Sequence, residues 1–195
     1  MLRAAIVASI VLSATCAVGQ GSVSPKPDAA NGGIPAYSNE CFALAYRPPD
    51  GWKFSRERAR PSKQLMTLFK VDRHSAARSA ESLQLDAMDT PTLKHPNMER
   101  FTILMALSLV HVNGARNKIT RDAYPVTAAG RSFYRSDLLV GDKLTSVLTT
   151  WYRRYAIVAW AYADSPQKLE DAVNALSALK FGEDKRTGEC FGFAN

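Results

Sequence analysis

Residues Arg131–Phe181 read RSFYRSDLLVGDKLTSVLTTWYRRYAIVAWAYADSPQKLEDAVNALSALKF. This stretch decides the fold, because it predicts three strands and a helix in unbroken succession. Gly141-Asp142 separates two runs rich in β-branched and aromatic residues, a hairpin signal since glycine reaches positive φ without steric cost. Thr145, Val147, Thr149 and Trp151 alternate with Leu144, Ser146, Leu148, Thr150 and Tyr152. Both faces of this strand carry apolar bulk, so it belongs in the interior of a sheet. Arg153-Arg154 marks the next turn, after which Ile157, Ala159 and Ala161 point one way and Val158, Trp160 and Tyr162 the other. Ser165 is placed to cap a helix that has Pro166 at its first position, where a missing N–H costs nothing. Leu169, Ala172, Val173, Leu176 and Leu179 then form one apolar stripe at helical spacing. Glu170 and Asp171 fall toward the positive end of the helix dipole and Lys180 toward the negative end.

The chain before this stretch begins with a different signal. Residues 1–19 carry a single charge, Arg3, then the apolar run Ala4 to Leu12, then small residues ending in Ala17-Val18-Gly19. That layout is a secretory signal peptide, and its apolar run is well short of the roughly 20 residues that span a bilayer. Cys16 raises lipidation as a minority alternative, although Ser13-Ala14-Thr15 departs from the usual residues before a lipidated cysteine. Residues 20–38, rich in Gly, Ser, Pro and Asn, read as a flexible leader, and residues 39–195 as one domain. A composition of 46% hydrophobic and 22% charged residues belongs to a globular protein rather than a disordered one. Cleavage removes Cys16 and leaves Cys41 and Cys190 in a compartment that permits disulfides, so these two are expected to pair. A bridge closing so long a loop contributes about 5 kcal/mol on the chain-entropy account.

Within the domain, Phe42, Leu44 and Tyr46 alternate with Cys41, Ala43 and Ala45 as a first strand, ended by Pro48-Pro49. Trp52 and Phe54 follow the Asp50-Gly51 turn and are expected to pack on the body. Lys53, Arg56, Arg58, Arg60 and Lys63 then stand against a single Glu57, the densest charge cluster of a chain whose formal net charge is +7. A run of this kind is commonly a solvated loop, but it also suits an anionic surface or partner. Leu65 to Val71 and Leu83 to Ala87 alternate as two further strands. Between Pro96 and Asn113-Gly114 lies a helical run with Phe101, Leu104, Met105, Ser108, Leu109 and Val112 on one face. Its other face holds Ile103, Ala106, Leu107 and Val110, so it should be buried on more than one side or cover a groove. Residues 115–129 read as basic and then irregular, because Pro125 argues against a helix.

Taken in order, the alternating strand Phe42 to Tyr46, Pro49-Asp50-Gly51-Trp52, a strand pair and a middle helix are followed by Gly130 leading into Phe133-Tyr134-Arg135. The strand Tyr155 to Tyr162 and the closing Leu176-Ser177-Ala178-Leu179-Lys180-Phe181 complete the pattern. From Asn39 to Phe181 this resembles the PsbP-like superfamily. The resemblance implies an α+β fold, an antiparallel sheet of five to six strands flanked by helices as an α/β/α sandwich. It also implies a non-catalytic role, since such proteins mostly act as extrinsic subunits, assembly factors or binding modules. The cysteine pair and the tail beyond Phe181 are not part of that pattern.

The residues themselves assemble no catalytic set. His74, His95 and His111 show no metal-ligand spacing, and neither a Gly-x-Ser-x-Gly elbow nor a phosphate-cradling loop occurs. Loop positions are expected for His74 and His95, a helix end for His111, and a solvated strand edge for Asp86 and Asp89. No cofactor, catalytic or metal residue is therefore assigned, and nucleic acid is not expected as a partner. The expectation is a secreted or periplasmic binding or assembly module of the cell envelope. Its partner is an unidentified protein or an anionic envelope component that meets Lys53, Arg56, Arg58, Arg60 and Lys63. The alternative is a small hydrolase or ligand-processing enzyme with a site between the sheet and the helix Met98 to Asn113.

Overall fold

Two tight turns set the register of the main sheet. Ala129 and Gly130 both have positive φ (52° and 70°), as a two-residue hairpin loop requires, and Gly141 opens the next turn at φ 65°. The computed structural model describes residues 36–55, 65–74, 80–90, 97–112, 117–152 and 155–182. In these, β1 (Tyr37–Asn39), β2 (Leu44–Tyr46), β3 (Lys53–Phe54), β4 (Leu65–His74) and β5 (Ala80–Asp89) precede helix α1 (Met98–Val112). Next come β6 (Lys118–Ala128), β7 (Arg131–Val140), β8 (Lys143–Tyr152) and β9 (Tyr155–Ala163), then α2 (Pro166–Ala175), a 3-10 turn (Leu176–Ala178) and β10 (Leu179–Phe181).

Seven strands form one antiparallel sheet in the order β3-β4-β5-β9-β8-β7-β6, and three form a small one in the order β1-β2-β10. Neighbouring residues of β8 report the layering. Val147 lies in a cluster with Phe101, Ala106, Leu138 and Val158 under α1, while Leu148 lies with Ala159, Leu169, Val173 and Leu176 under α2. Since successive strand residues face opposite sides, the two helices cover opposite faces. The small sheet, through Phe42, Leu44, Tyr46 and Leu179, joins the α2 side. The protein is an α+β sandwich, as the resemblance implies, but its main sheet has seven strands rather than five to six, because β3 and β6 extend it at the two edges.

Several elements differ from their sequence reading, each for a physical reason. Residues 118–128 form an edge strand rather than an irregular segment, because a strand at a sheet edge tolerates Pro125 and the register shifts around Arg121. The first strand is shorter than expected. Asn39 accepts a hydrogen bond from the Phe42 amide (3.1 Å), and Ala43 takes φ 44°, so residues 40–43 form a turn between β1 and β2. Tyr37, in the stretch read as leader, is buried in β1. The closing helix stops at Ala175, and Leu176 and Leu179 stay buried by way of the 3-10 turn and β10, which places Lys180 on a strand instead of at a helix end. In α1 the buried face holds Phe101, Thr102 and Ala106, whereas Leu104 is 52% exposed and Ser108 faces water. The Thr102 hydroxyl bonds Thr149 on β8 and the Met98 carbonyl, which rotates that polar position inward. His74 ends β4 rather than lying in a loop.

Candidate functional site

Charged residues on the inner face of β7 build the most organised polar group. Phe133, Arg135 and Asp137 alternate toward α2, and Arg135 is only 5% exposed. Its Nε donates to Asp137 Oδ1 (2.7 Å) and to Ser146 Oγ (3.2 Å) on β8. Its two terminal nitrogens form a fork on the Glu170 carboxylate of α2, with Nη1 donating to Oε2 at 2.9 Å and Nη2 to Oε1. Asp137 is held further by the Ser146 hydroxyl and by Tyr124 Oη (2.9 Å) from β6. The Arg121 guanidinium lies 3.6 Å from the centre of the Tyr124 ring.

Burial alone disfavours the charged Arg135, but its bonds to Glu170 and Asp137 outweigh that and raise its pKa, so the guanidinium stays cationic. Burial and the Asp137 charge push the Tyr124 hydroxyl up to about 12, which keeps it a donor. An open cleft of about 330 Å³ lies alongside, lined by Thr120, Leu144, Pro166, Gln167 and Leu169 together with Arg135, Asp137 and Glu170.

A second ionic group ties the same helix to the sheet further along. Arg73 on β4 reaches Glu81 (3.4 Å) on β5 and Asp171 (3.5 Å) on α2. Burial raises the Glu81 carboxyl above its ordinary range, while Arg73 pulls it down. Glu170 and Asp171 therefore serve two sheet arginines, a role beyond the dipole contribution read from their sequence position.

Asp86 departs most from its sequence reading. It is 1% exposed in mid-β5, with Thr67 of β4 and Val158 of β9 as its cross-strand neighbours, and is not at a solvated edge. Gln84 Nε2 donates to both of its oxygens (3.0 Å each) and Trp160 Nε1 to Oδ2 (2.7 Å). Burial raises its carboxyl pKa, and the bonds from Thr67, Gln84 and Trp160 oppose that rise. Tyr162 is pushed up to about 12 by burial and by the Asp86 charge.

Of the residues singled out from sequence, only some lie among the described residues. Lys53 is exposed on the short strand β3, opposite Asp72, while Arg56, Arg58, Arg60 and Lys63 lie outside the described residues. Cys41 is half-buried in the turn between β1 and β2, against the core, and Cys190 lies outside the described residues. His111 is exposed in the last turn of α1, and His95 is outside the described residues. No group of three or more His, Cys, Asp or Glu side chains that could hold a metal occurs among the described residues. The sequence reading missed the Arg135 group. Its available signal was two charges, Arg135 and Asp137, alternating in step with Phe133 on the face that period two turns inward.

No family model and no curated protein matches this chain in sequence. Among solved structures, the solution structure of cyanobacterial PsbP (CyanoP) from Synechocystis sp. PCC 6803 superposes with a TM-score of 0.53 at 12% identity, covering 75% of this chain and 91% of that one. The crystal structure of LpqN, a protein involved in cell envelope biogenesis of Mycobacterium tuberculosis, superposes with a TM-score of 0.47 at 13% identity over 72% and 83% of the two chains. The sandwich is a PsbP-like fold. At 12% identity to CyanoP the likeness is one of fold alone.

Proposed function

We propose that this protein is a non-catalytic binding or assembly module of an extracytoplasmic envelope compartment, and that it meets an anionic component through Lys53, Arg56, Arg58, Arg60 and Lys63. The observation that carries this reading is the packing between α1 and the sheet. Phe101, Ala106, Leu138, Val147, Ala156 and Val158 are 0–7% exposed there, filling the place where an enzymatic alternative would need its site. The cleft beside Arg135 does hold three ionisable groups, which is the feature that alternative calls for. Arg135, however, engages both carboxylates, and Ser146 is fully buried with its hydroxyl directed at Asp137, so the serine is not presented as a nucleophile.

Among the described residues, no helix is long and apolar enough to cross a membrane. A cleaved leader at residues 1–19 and a Cys41–Cys190 bridge belong to the same proposal. Co-sedimentation of the full chain with lipid vesicles tests it. Binding is expected to vesicles containing acidic phospholipid and not to neutral ones, and to fall with added salt, because exposed charges are screened beyond about 8 Å at physiological ionic strength. Equal binding to both vesicle types, or none to either together with no retention on an anionic matrix, contradicts it.

A further inference from the structure

The two carboxylates around Arg135 are held very differently. Asp137 is fixed by three donors, Arg135 Nε, Ser146 Oγ and Tyr124 Oη, and its side chain is 17% exposed. Glu170 is 51% exposed, and its described bonds run to Arg135 alone. Asp137 therefore locks the Nε edge and sets the plane of the guanidinium, which leaves the fork of Nη1 and Nη2 directed at Glu170 and the cleft. A buried, pre-aimed arginine fork is a bidentate receptor for a planar carboxylate, and the entropy of ordering it is already met by the fold. The cleft at the fork, about 330 Å³, is large enough for a small acid or an acidic side chain. Leu144, Pro166 and Leu169 offer apolar walls, with Thr120 and Gln167 adding polar groups.

We propose that this cleft is a carboxylate-recognition site in which Glu170 is a resident, exchangeable ligand of the Arg135 fork, displaced when a carboxylate of a partner protein or a small acid enters. This site shares no residue with the basic segment 53–63 and goes beyond the function proposed above. In the wild type an entering carboxylate competes with a tethered one, so affinity is weak until other contacts in the cleft add to it. Removing the Glu170 charge lifts that competition while leaving Asp137 to hold the guanidinium.

The test follows the Arg135 Nε–Hε resonance of the full chain by NMR during titration with succinate, with a terminally blocked Gly-Glu-Gly peptide as the protein-type source and inorganic phosphate as the tetrahedral comparison. Glu170→Gln is expected to bind succinate or the peptide at least about tenfold more tightly than wild type, the tighter of the two naming the source. Adding Arg135→Lys to that variant keeps the charge but removes the fork, and is expected to undo the gain. Wild type and Glu170→Gln giving the same titration, with the Arg135 resonance unmoved, overturns the proposal. Phosphate binding as tightly as succinate overturns its assignment to carboxylates. Should the double variant fail to fold, the comparison of wild type with Glu170→Gln still decides.

Discussion

Arg135 and Asp86 show how a buried charge is kept inside an α+β sandwich in two ways. Arg135 is matched by carboxylates from its own strand and from α2, and its serine neighbour completes the set. Arg135→Ala leaves Asp137 without its cation and is expected to destabilise by about 3 kcal/mol, the low end for breaking a buried pair, because Glu170 can turn to water. Chemical denaturation of the folded variant reads this directly. Asp86 has neutral donors around it, and burial raises its pKa above that of the unfolded chain. In the window between those two pKa values the fold binds the proton more tightly than the unfolded chain does. Stability from this residue is therefore fully present below the unfolded value and is lost as pH rises through the folded one. Asp86→Asn is expected to remove that slope. A wild-type-minus-variant stability difference that fails to grow as pH falls through the window would contradict the account.

At the level of elements, a stripe of side chains is legible where its backbone is not. Leu169, Ala172, Val173, Leu176 and Leu179 are all buried as their spacing implies, but α2 ends at Ala175 and the chain keeps its inward aim through a 3-10 turn and a strand. Periodicity reports which residues face the core and not where the hydrogen bonding changes. Similarly, β6 was hidden by Pro125, because a helix breaker is compatible with an edge strand. The hairpins and the strands β7, β8 and β9 were legible because their alternation and turn residues agree. The Arg135 site was not, since its members come from four elements that only the hairpin register and the docking of α2 bring together. Leu176→Asp places a charge at a position with no exposure, and is expected to cost several kcal/mol of a stability of about 5 to 15 kcal/mol, seen as loss of the thermal transition or a large fall in its midpoint. Ala129→Gly is expected to stabilise slightly, by up to about 1 kcal/mol, because the left-handed conformation costs alanine about 1–2 kcal/mol and glycine gives part of that back in unfolded-state entropy. A thermal midpoint lowered by that substitution would contradict the turn geometry.

For the whole molecule, α1 packs on β6, β7 and β8 at one face of the seven-stranded sheet, and α2 packs with the small sheet on the other. β2 and β10 bring Tyr46 opposite Leu179, so the N-terminal and C-terminal parts of the domain meet in the small sheet. A Cys41–Cys190 bridge would reinforce that meeting, and intact-mass analysis of unreduced, unfolded mature protein is expected to find neither thiol open to alkylation. Two alkylated thiols would contradict the bridge. The central claim concerns the basic segment from Lys53 to Lys63, and the most direct measurement compares binding of wild type and Arg56→Ala/Arg58→Ala/Arg60→Ala to acidic vesicles across a salt series. The account predicts that wild type binds at low salt and releases as salt rises, while the triple variant binds weakly throughout. Triple-variant binding equal to wild type at every salt concentration would contradict it.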